Sequence, residues 1–183
     1  AGAGRSTLIM DLLRSRAVAA RLALGLVVAV LGASSCSDTE GTSVNEVPFA
    51  AADGSQASIA DFEGAPLVLN MWATNCAPCV KEMPAFDEVA AELSGELAII
   101  GVNVFDTPDD AAAFAADLGV HYPQFSDPDG GLSTALAVTG LPATAFFDAS
   151  GKLIEVHQGA FTADELRAAI SQYLPAGTEG TEP

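Results

Sequence analysis

Continuous runs of branched apolar residues mark the expected strands of this chain. The segments PLVLNMWA, residues 66–73, and LAIIGVNV, residues 97–104, are apolar over the length of one strand. Such runs are typical of strands that a sheet buries on both faces. Polar turns around Gly54 and Gly151 each predict a hairpin, one before these two strands and one after them.

The helices between these strands are predicted from their end residues as well as from their periodicity. Thr107 and Thr162 stand where N-caps are needed, Gly119 follows the last turn of one segment, and Pro84 should kink another. Helices are expected over residues 77–93, 107–119, 132–138 and 162–174, with a short strand within 122–131. The alternation of strands and helices, with a hairpin at each end, predicts an α/β fold with a central mixed sheet covered by helices.

A different apolar run, from Leu22 to Ala33, lies near the start of the chain, immediately after Arg14, Arg16 and Arg21. A basic segment, a short apolar segment and small residues form the pattern of an export signal. The run spans 12 residues, which is short of the about 20 that a membrane-spanning helix needs. The arginines also argue against a buried core helix. We therefore predict an export signal over residues 1–35, with residues 1–9 upstream of a natural start at Met10.

The end of this signal, LGASSC, resembles the lipobox of bacterial lipoproteins, in which the final cysteine becomes the lipidated first residue. That resemblance implies a lipid on Cys36 and attachment to the cell membrane from outside the cytoplasm. The alternative is ordinary cleavage nearby, which leaves Cys36 as a free thiol. Residues 36–47 are polar and aperiodic and are predicted to be a linker, residues 48–174 the folded domain, and residues 175–183 a disordered tail.

The charge balance excludes some partners. The chain has 7 basic and 24 acidic residues, a net charge of −17. From Cys36 onward only Lys81, Lys152 and Arg167 oppose 23 acidic residues, a net charge of −20. Such a surface repels nucleic acid and anionic lipid, so a membrane attachment has to come from the lipid anchor.

The chain has three cysteines, and Cys76 and Cys79 form a C-x-x-C pair. A zinc site needs four ligands, and His121 and His157 are expected far from the pair. A structural disulfide over so short a loop would stabilise the fold little. We therefore predict a redox dithiol without a further cofactor or metal.

The position of the pair assigns a role to each sulfur. Cys76 falls where a buried strand ends and a helix begins, and the free amides there favour a thiolate. At such a position a cysteine pKa, ordinarily about 8.5, can fall to about 7 or below. Cys79, one turn further into the helix, can attack a mixed disulfide within the same molecule. Cys76 is thus the expected nucleophile and Cys79 the resolving thiol.

The stretches WATNCAPCVKEMP, residues 72–84, and GLPAT, residues 140–144, together resemble the TlpA/ResA/DsbE-like thiol-disulfide oxidoreductases. The resemblance covers about residues 46–174. It implies a thioredoxin-like fold with an N-terminal hairpin and a family-type insertion. It also implies an extracytoplasmic enzyme that exchanges disulfides with exported proteins, and we expect a monomer.

The resemblance also implies roles for single residues. Pro142 matches the family's cis-proline, whose loop faces the dithiol. Glu82 matches an acidic residue that tunes cysteine protonation, although a solvated helix carboxylate is an equal alternative. Asn70 stands where cytoplasmic thioredoxins carry a buried aspartate, and Asn75 stands where the family has tryptophan. The surface that contacts partners is expected to include Trp72, Asn75, Ala77, Pro78, Leu141 and Pro142, with Trp72 also packing at the edge of the core.

The direction of exchange is open at this point. A reductase would take electrons from a membrane thiol carrier and reduce exported proteins such as apocytochrome c, whereas an oxidase would form disulfides in secreted chains. A peroxiredoxin-like peroxidase is disfavoured because the P-x-x-x-T-x-x-C pattern is missing around Cys76. A metal-delivering binding module would need further soft ligands.

Overall fold

The computed structural model describes residues 43–175. The strands are β1 Phe49–Ala51, β2 Gln56–Ala57, β3 Leu67–Trp72, β4 Ala98–Val104, β5 Gln124–Asp127, β6 Ala143–Phe147 and β7 Leu153–Gln158. The helices are α1 Ala77–Glu92, α2 Pro108–Leu118, α3 Gly131–Ala135 and α4 Ala163–Tyr173, with 3-10 turns at Val44–Glu46 and Ile59–Phe62. The predicted α/β, thioredoxin-like fold is confirmed.

One mixed sheet contains all seven of these strands, in the order β2-β1-β5-β4-β3-β6-β7. The central strand β3 runs parallel to β4, with Trp72 beside Asn103, and antiparallel to β6, with Met71 beside Ala143. The chain therefore leaves β3 and β4, and enters β6, at the same edge of the sheet. The segments just after Trp72, just after Val104 and just before Ala143 meet at that edge.

Strand β3 is buried along its whole length, as its continuous apolar pattern predicted. One side of the sheet packs against the two 3-10 turns and α3, with Met71 and Leu132 in the same cluster. The other side packs against α1 and α4, with Val68 beside Phe86 and Leu166. Because both faces are covered, polar side chains along β3 need partners inside the core.

The helix ends agree with the capping residues in the sequence. Thr107 caps α2 by accepting the Asp110 amide, and Gly119 ends this helix in the left-handed conformation. Thr162 and Glu165 form the predicted capping box of α4. Helix α1 continues through Pro84.

The predicted linker over residues 36–47 needs a correction at its end. Residues 44–46 form a 3-10 turn, and the side chains of Val44 and Val47 pack against the core. Two apolar side chains in a polar stretch are sufficient to bring this turn into the domain before Pro48. The predicted export signal, Cys36 and the tail after residue 175 lie outside the described residues. Within residues 43–175, no helix is both long and apolar enough to cross a membrane.

Candidate functional site

A disulfide joins Cys76 and Cys79 at the start of α1, with 5.3 Å between the two Cα atoms. Cys76 is the N-cap of the helix, and its sulfur accepts the backbone N–H of Cys79 at 3.3 Å. Cys76 is half-buried, whereas Cys79 is fully buried. Pro78 sits in the first helical turn, where no amide donor is required. An incoming sulfur can therefore approach Cys76 more readily than Cys79.

The residues around the pair differ in how exposed they are to a partner. Asn75, Ala77 and Pro78 are exposed. The Leu141-Pro142 peptide bond is cis, as the resemblance implied. Leu141 is half-buried and Pro142 is buried, so Leu141 supplies the accessible surface of this loop.

The prediction that Trp72 contacts a partner is wrong, because its side chain is fully buried. The indole Nε1–H donates to Oε1 of Gln124 at 2.9 Å, and the ring packs against Phe114 at 5.9 Å between centroids. Trp72 shares a small apolar cluster with Cys79 and Met83. Trp72 therefore packs on the interior side of the disulfide, in the same cluster as Cys79, in agreement with its expected role at the edge of the core.

Glu82 is only 2% exposed, so it is not a solvated helix carboxylate. It follows Cys79 by three residues, which places both side chains on the same face of α1. Its Oε1 accepts from Nδ2 of Asn70 at 2.8 Å, and its Oε2 accepts from the backbone N–H of Phe161 at 2.9 Å. Burial raises the pKa of Glu82 to about 7, although both hydrogen bonds oppose the shift. The carboxyl can thus give or take a proton near neutral pH.

Asn70 connects Glu82 to a buried tyrosine. The hydroxyl of Tyr122 donates to Oδ1 of Asn70 at 3.1 Å, inside the protein. Burial raises the pKa of Tyr122 above its ordinary value, so the hydroxyl stays protonated and remains a donor. The resulting chain, from Tyr122 through Asn70 to Glu82, holds the Asn70 amide with its nitrogen toward the carboxyl.

Asp106 holds the turn that precedes Cys76. Its carboxylate accepts the Thr74 backbone N–H at 2.8 Å, the Thr74 hydroxyl at 2.9 Å and Nδ2 of Asn103 at 2.8 Å. Burial works to raise the pKa of Asp106, but these hydrogen bonds outweigh it and keep the pKa below its usual value. The turn is thereby fixed to the end of β4.

Sequence reasoning missed Asp106, Tyr122 and Gln124. One signal was available for Asp106, a polar residue directly after β4, at the edge where β3 also ends. For Tyr122 and Gln124 no local pattern exists, because their partners are 52 residues away along the chain.

Each of the two histidines has a partner other than the cysteines. Nδ1 of His121 lies 3.1 Å from Oδ2 of Asp87, and the imidazole of His157 packs on the ring of Phe161 at 4.2 Å between centroids.

Comparisons with known proteins find relatives that are named for thiol-disulfide exchange. A profile described as the AhpC/TSA family matches residues 41–156. The thiol:disulfide interchange protein HelX of Rhodobacter capsulatus is 34% identical over 134 residues, covering 73% of this chain and 70% of HelX. The thiol-disulfide oxidoreductase ResA of Bacillus subtilis is 27% identical over 143 residues, covering 78% of this chain and 80% of ResA.

A solved structure shows the same likeness. The structure of MTB dsbF in its mixed oxidized and reduced forms superposes with a TM-score of 0.65 at 29% identity, covering 72% of this chain and 97% of dsbF. Fold, cysteine pair and relatives together define a thioredoxin-like thiol-disulfide oxidoreductase. The chain belongs to the AhpC/TSA family and, within it, to the TlpA/ResA/DsbE-like proteins.

Proposed function

We propose that this protein works outside the cytoplasm and exchanges its Cys76–Cys79 disulfide with cysteines of exported proteins. The observation that carries the proposal is the unequal exposure of the two sulfurs. Half-buried Cys76 caps a helix, and fully buried Cys79 lies directly behind it. An arrangement with one accessible sulfur and one internal sulfur lets a partner attach at a defined position and then be released by the second cysteine.

In the reductive direction, the Cys76 thiolate attacks one sulfur of a partner disulfide. A bond forms between Cys76 and that sulfur, and the other partner sulfur leaves as a thiolate. Cys79 then loses its proton and attacks the Cys76 sulfur, which releases the second partner thiolate and forms the Cys76–Cys79 disulfide. Two electrons pass to the partner, and a thiol carrier in the membrane restores the dithiol.

Glu82 is the proposed acceptor of the Cys79 proton. It is buried on the same helix face, and its pKa of about 7 lets it accept a proton at neutral pH. Asn70, on β3, cannot take this proton because its side chain is an amide. The exposed residues Asn75, Ala77 and Pro78, with Leu141 at the cis-proline loop, form the proposed contact surface.

We propose the reductive direction, with exported proteins such as apocytochrome c as acceptors. Formation of disulfides in secreted chains is the reverse of the same steps. The reduction potential of the pair decides between them. A potential well below that of glutathione would support the reductase, whereas a potential near that of strong disulfide donors would establish the oxidase.

The proposal is tested by trapping partners. The full chain with Cys79→Ala and Cys36→Ser should accumulate mixed disulfides through Cys76, because the resolving sulfur is missing. The matched control, Cys76→Ala with Cys36→Ser, should trap almost none, because Cys79 is buried. Equal trapping by both variants, or no exchange of the reduced wild type with any partner disulfide, would show the proposal to be wrong.

The lipid anchor on Cys36 is a separate part of the proposal and rests on the LGASSC motif. Mass spectrometry of the exported protein should find a diacylglycerol on Cys36 that Cys36→Ser removes. An unmodified N-terminal region would contradict the anchor and leave the exchange chemistry untouched.

A further inference from the structure

Phe105 combines an exposed aromatic side chain with a backbone conformation that is unfavourable for it. Its side chain is 70% exposed, and its backbone lies in the left-handed region with a φ of 73°. Left-handed backbone is strained for a bulky side chain, and strain of this kind concentrates at functional sites. Among residues 43–175, the large apolar side chains that are exposed are those of Phe105 and Ile154, the latter at 37%.

The position of Phe105 connects it to the disulfide. Residue Asn103 pairs with Trp72 across the parallel strands, so Phe105 leaves β4 at the edge where the chain runs from β3 toward Cys76. The next residue, Asp106, binds both the amide and the hydroxyl of Thr74. Phe105 and Cys76 thus belong to two turns that one carboxylate holds together.

The phenyl ring of Phe105 packs closely against Gly130. Gly130 has a φ of 69°, and a Cβ placed there would come within 2.5 Å of Cε1 of the Phe105 ring. The tip of the ring therefore lies close to Gly130, while most of the side chain stays exposed. The backbone N–H of Phe105 points to the carbonyl of Asp127 at 3.4 Å, which ties this turn to β5.

We propose that Phe105 is a specificity residue that contacts an apolar side chain beside the reacting cysteine of the partner polypeptide. This inference rests on the proposed exchange function. Asn75, directly before Cys76, is polar and exposed, so it supplies no apolar surface there. Phe105 supplies that surface from the neighbouring turn, with a ring already oriented before the partner arrives, which reduces the entropy lost on binding.

The partner segment should also avoid negative charge. Asp109 and Asp110, in the first turn of α2, follow Phe105 closely in the sequence, and Asp129 precedes Gly130, which the Phe105 ring approaches; all three aspartates are exposed. Test peptides should therefore carry lysine, so that repulsion does not hide the apolar contact.

The experiment measures the rate constant with which the reduced full chain carrying Cys36→Ser reacts with each of three disulfides. They are hydroxyethyl disulfide, a disulfide-linked lysine-containing peptide dimer with Leu beside each cysteine, and the same dimer with Ser in place of Leu. We expect the protein with Phe105 to react faster with the Leu dimer than with the Ser dimer. Phe105→Gly should lower the rate constant for the Leu dimer by about tenfold and leave hydroxyethyl disulfide unchanged.

Two measurements separate recognition from folding. Phe105→Gly should have a free energy of unfolding equal to or above that of the wild type, because glycine relieves the positive φ. Ile154→Ala should leave all three rates unchanged, because Ile154 lies on β7 near the end that pairs with Phe147, at the opposite edge of the sheet.

An unchanged Leu-dimer rate in Phe105→Gly would overturn the inference, as would an equal loss with hydroxyethyl disulfide, because the residue would then act on the dithiol itself. Wild-type protein that reacts with none of the three disulfides would instead overturn the proposed exchange function.

Discussion

The side-chain amide of Asn70 donates to the carboxyl of Glu82 at 2.8 Å, beneath the N-terminal half of α1. An amide cannot accept the proton that a resolving cysteine loses, whereas the carboxyl beside it can. Asn70 therefore positions the proton acceptor, and the hydroxyl of Tyr122 in turn fixes the orientation of Asn70.

The stability of Glu82→Gln relative to wild type should increase as pH rises. The pKa of Glu82 is about 7 in the folded protein and 4.5 in the reference state. The raised pKa means that protonated Glu82 contributes stability that is present below about pH 4.5 and is lost as pH rises through about 7. Glutamine stays neutral throughout. Relative to wild type, the unfolding free energy of the variant should increase by about 2 kcal/mol between about pH 5 and about pH 8.

Urea denaturation at the two pH values measures this difference. The exposed Glu96 gives the matched control, because Glu96→Gln removes the same charge from the surface. If the free energy of unfolding changed with pH in the same way for Glu82→Gln and for wild type, Glu82 would not be the interior carboxyl that titrates near neutral pH.

Glu82→Gln should also slow the second exchange step. Without the carboxyl, the Cys79 proton has no buried acceptor, so attack on the mixed disulfide should slow by about a hundredfold. The first step, attack by Cys76 on the partner, should change little. Rapid acid quenching followed by mass spectrometry would then find the mixed disulfide accumulating in the variant. A mixed disulfide that decays as fast as in wild type would show that another group takes the proton.

Tyr122→Phe should reduce stability by about 1 kcal/mol, because Asn70 loses a buried hydrogen bond. It should also raise the pH midpoint of the resolving step. With no hydroxyl to hold Oδ1, the Asn70 amide can rotate and withdraw its donor from Glu82, and the pKa of Glu82 then rises. Tyr173→Phe, in α4, is the control for loss of a tyrosine hydroxyl. A loss of stability without a shift of the midpoint would reduce Tyr122 to a packing role.

Gly101→Ala should be strongly destabilising. A Cβ at Gly101 would clash with the side chain of Gln124, the partner of the Trp72 indole. Displaced Gln124 leaves a buried N–H unpaired, so we expect a loss of about 2–3 kcal/mol. Trp72 is the only tryptophan in the chain, so its fluorescence reports the change directly.

Gly140→Ala is the control for Gly101→Ala, since a Cβ at Gly140 meets nothing within 4 Å. Its stability and emission spectrum should match those of wild type. An emission spectrum of Gly101→Ala identical to that of wild type would mean that Gln124 moves without losing its bond to the indole.

The order and type of the elements and the position of the dithiol can be predicted from the amino-acid sequence. Thr107 and Thr162 cap helices, and the apolar runs become buried strands, because these signals act between residues a few positions apart. The placement of Cys76 and Cys79 on the first helical turn is local for the same reason.

The surroundings of the dithiol depend instead on contacts between segments that are distant in the sequence. Glu82 is buried and accepts hydrogen bonds from Asn70 and from the Phe161 backbone. Trp72 is buried as well, so a partner cannot contact its side chain. The tyrosine that orients Asn70 lies 52 residues from it along the chain. Such pairs depend on strand order and register, which place side chains from distant segments within hydrogen-bond distance, and no local pattern carries that information.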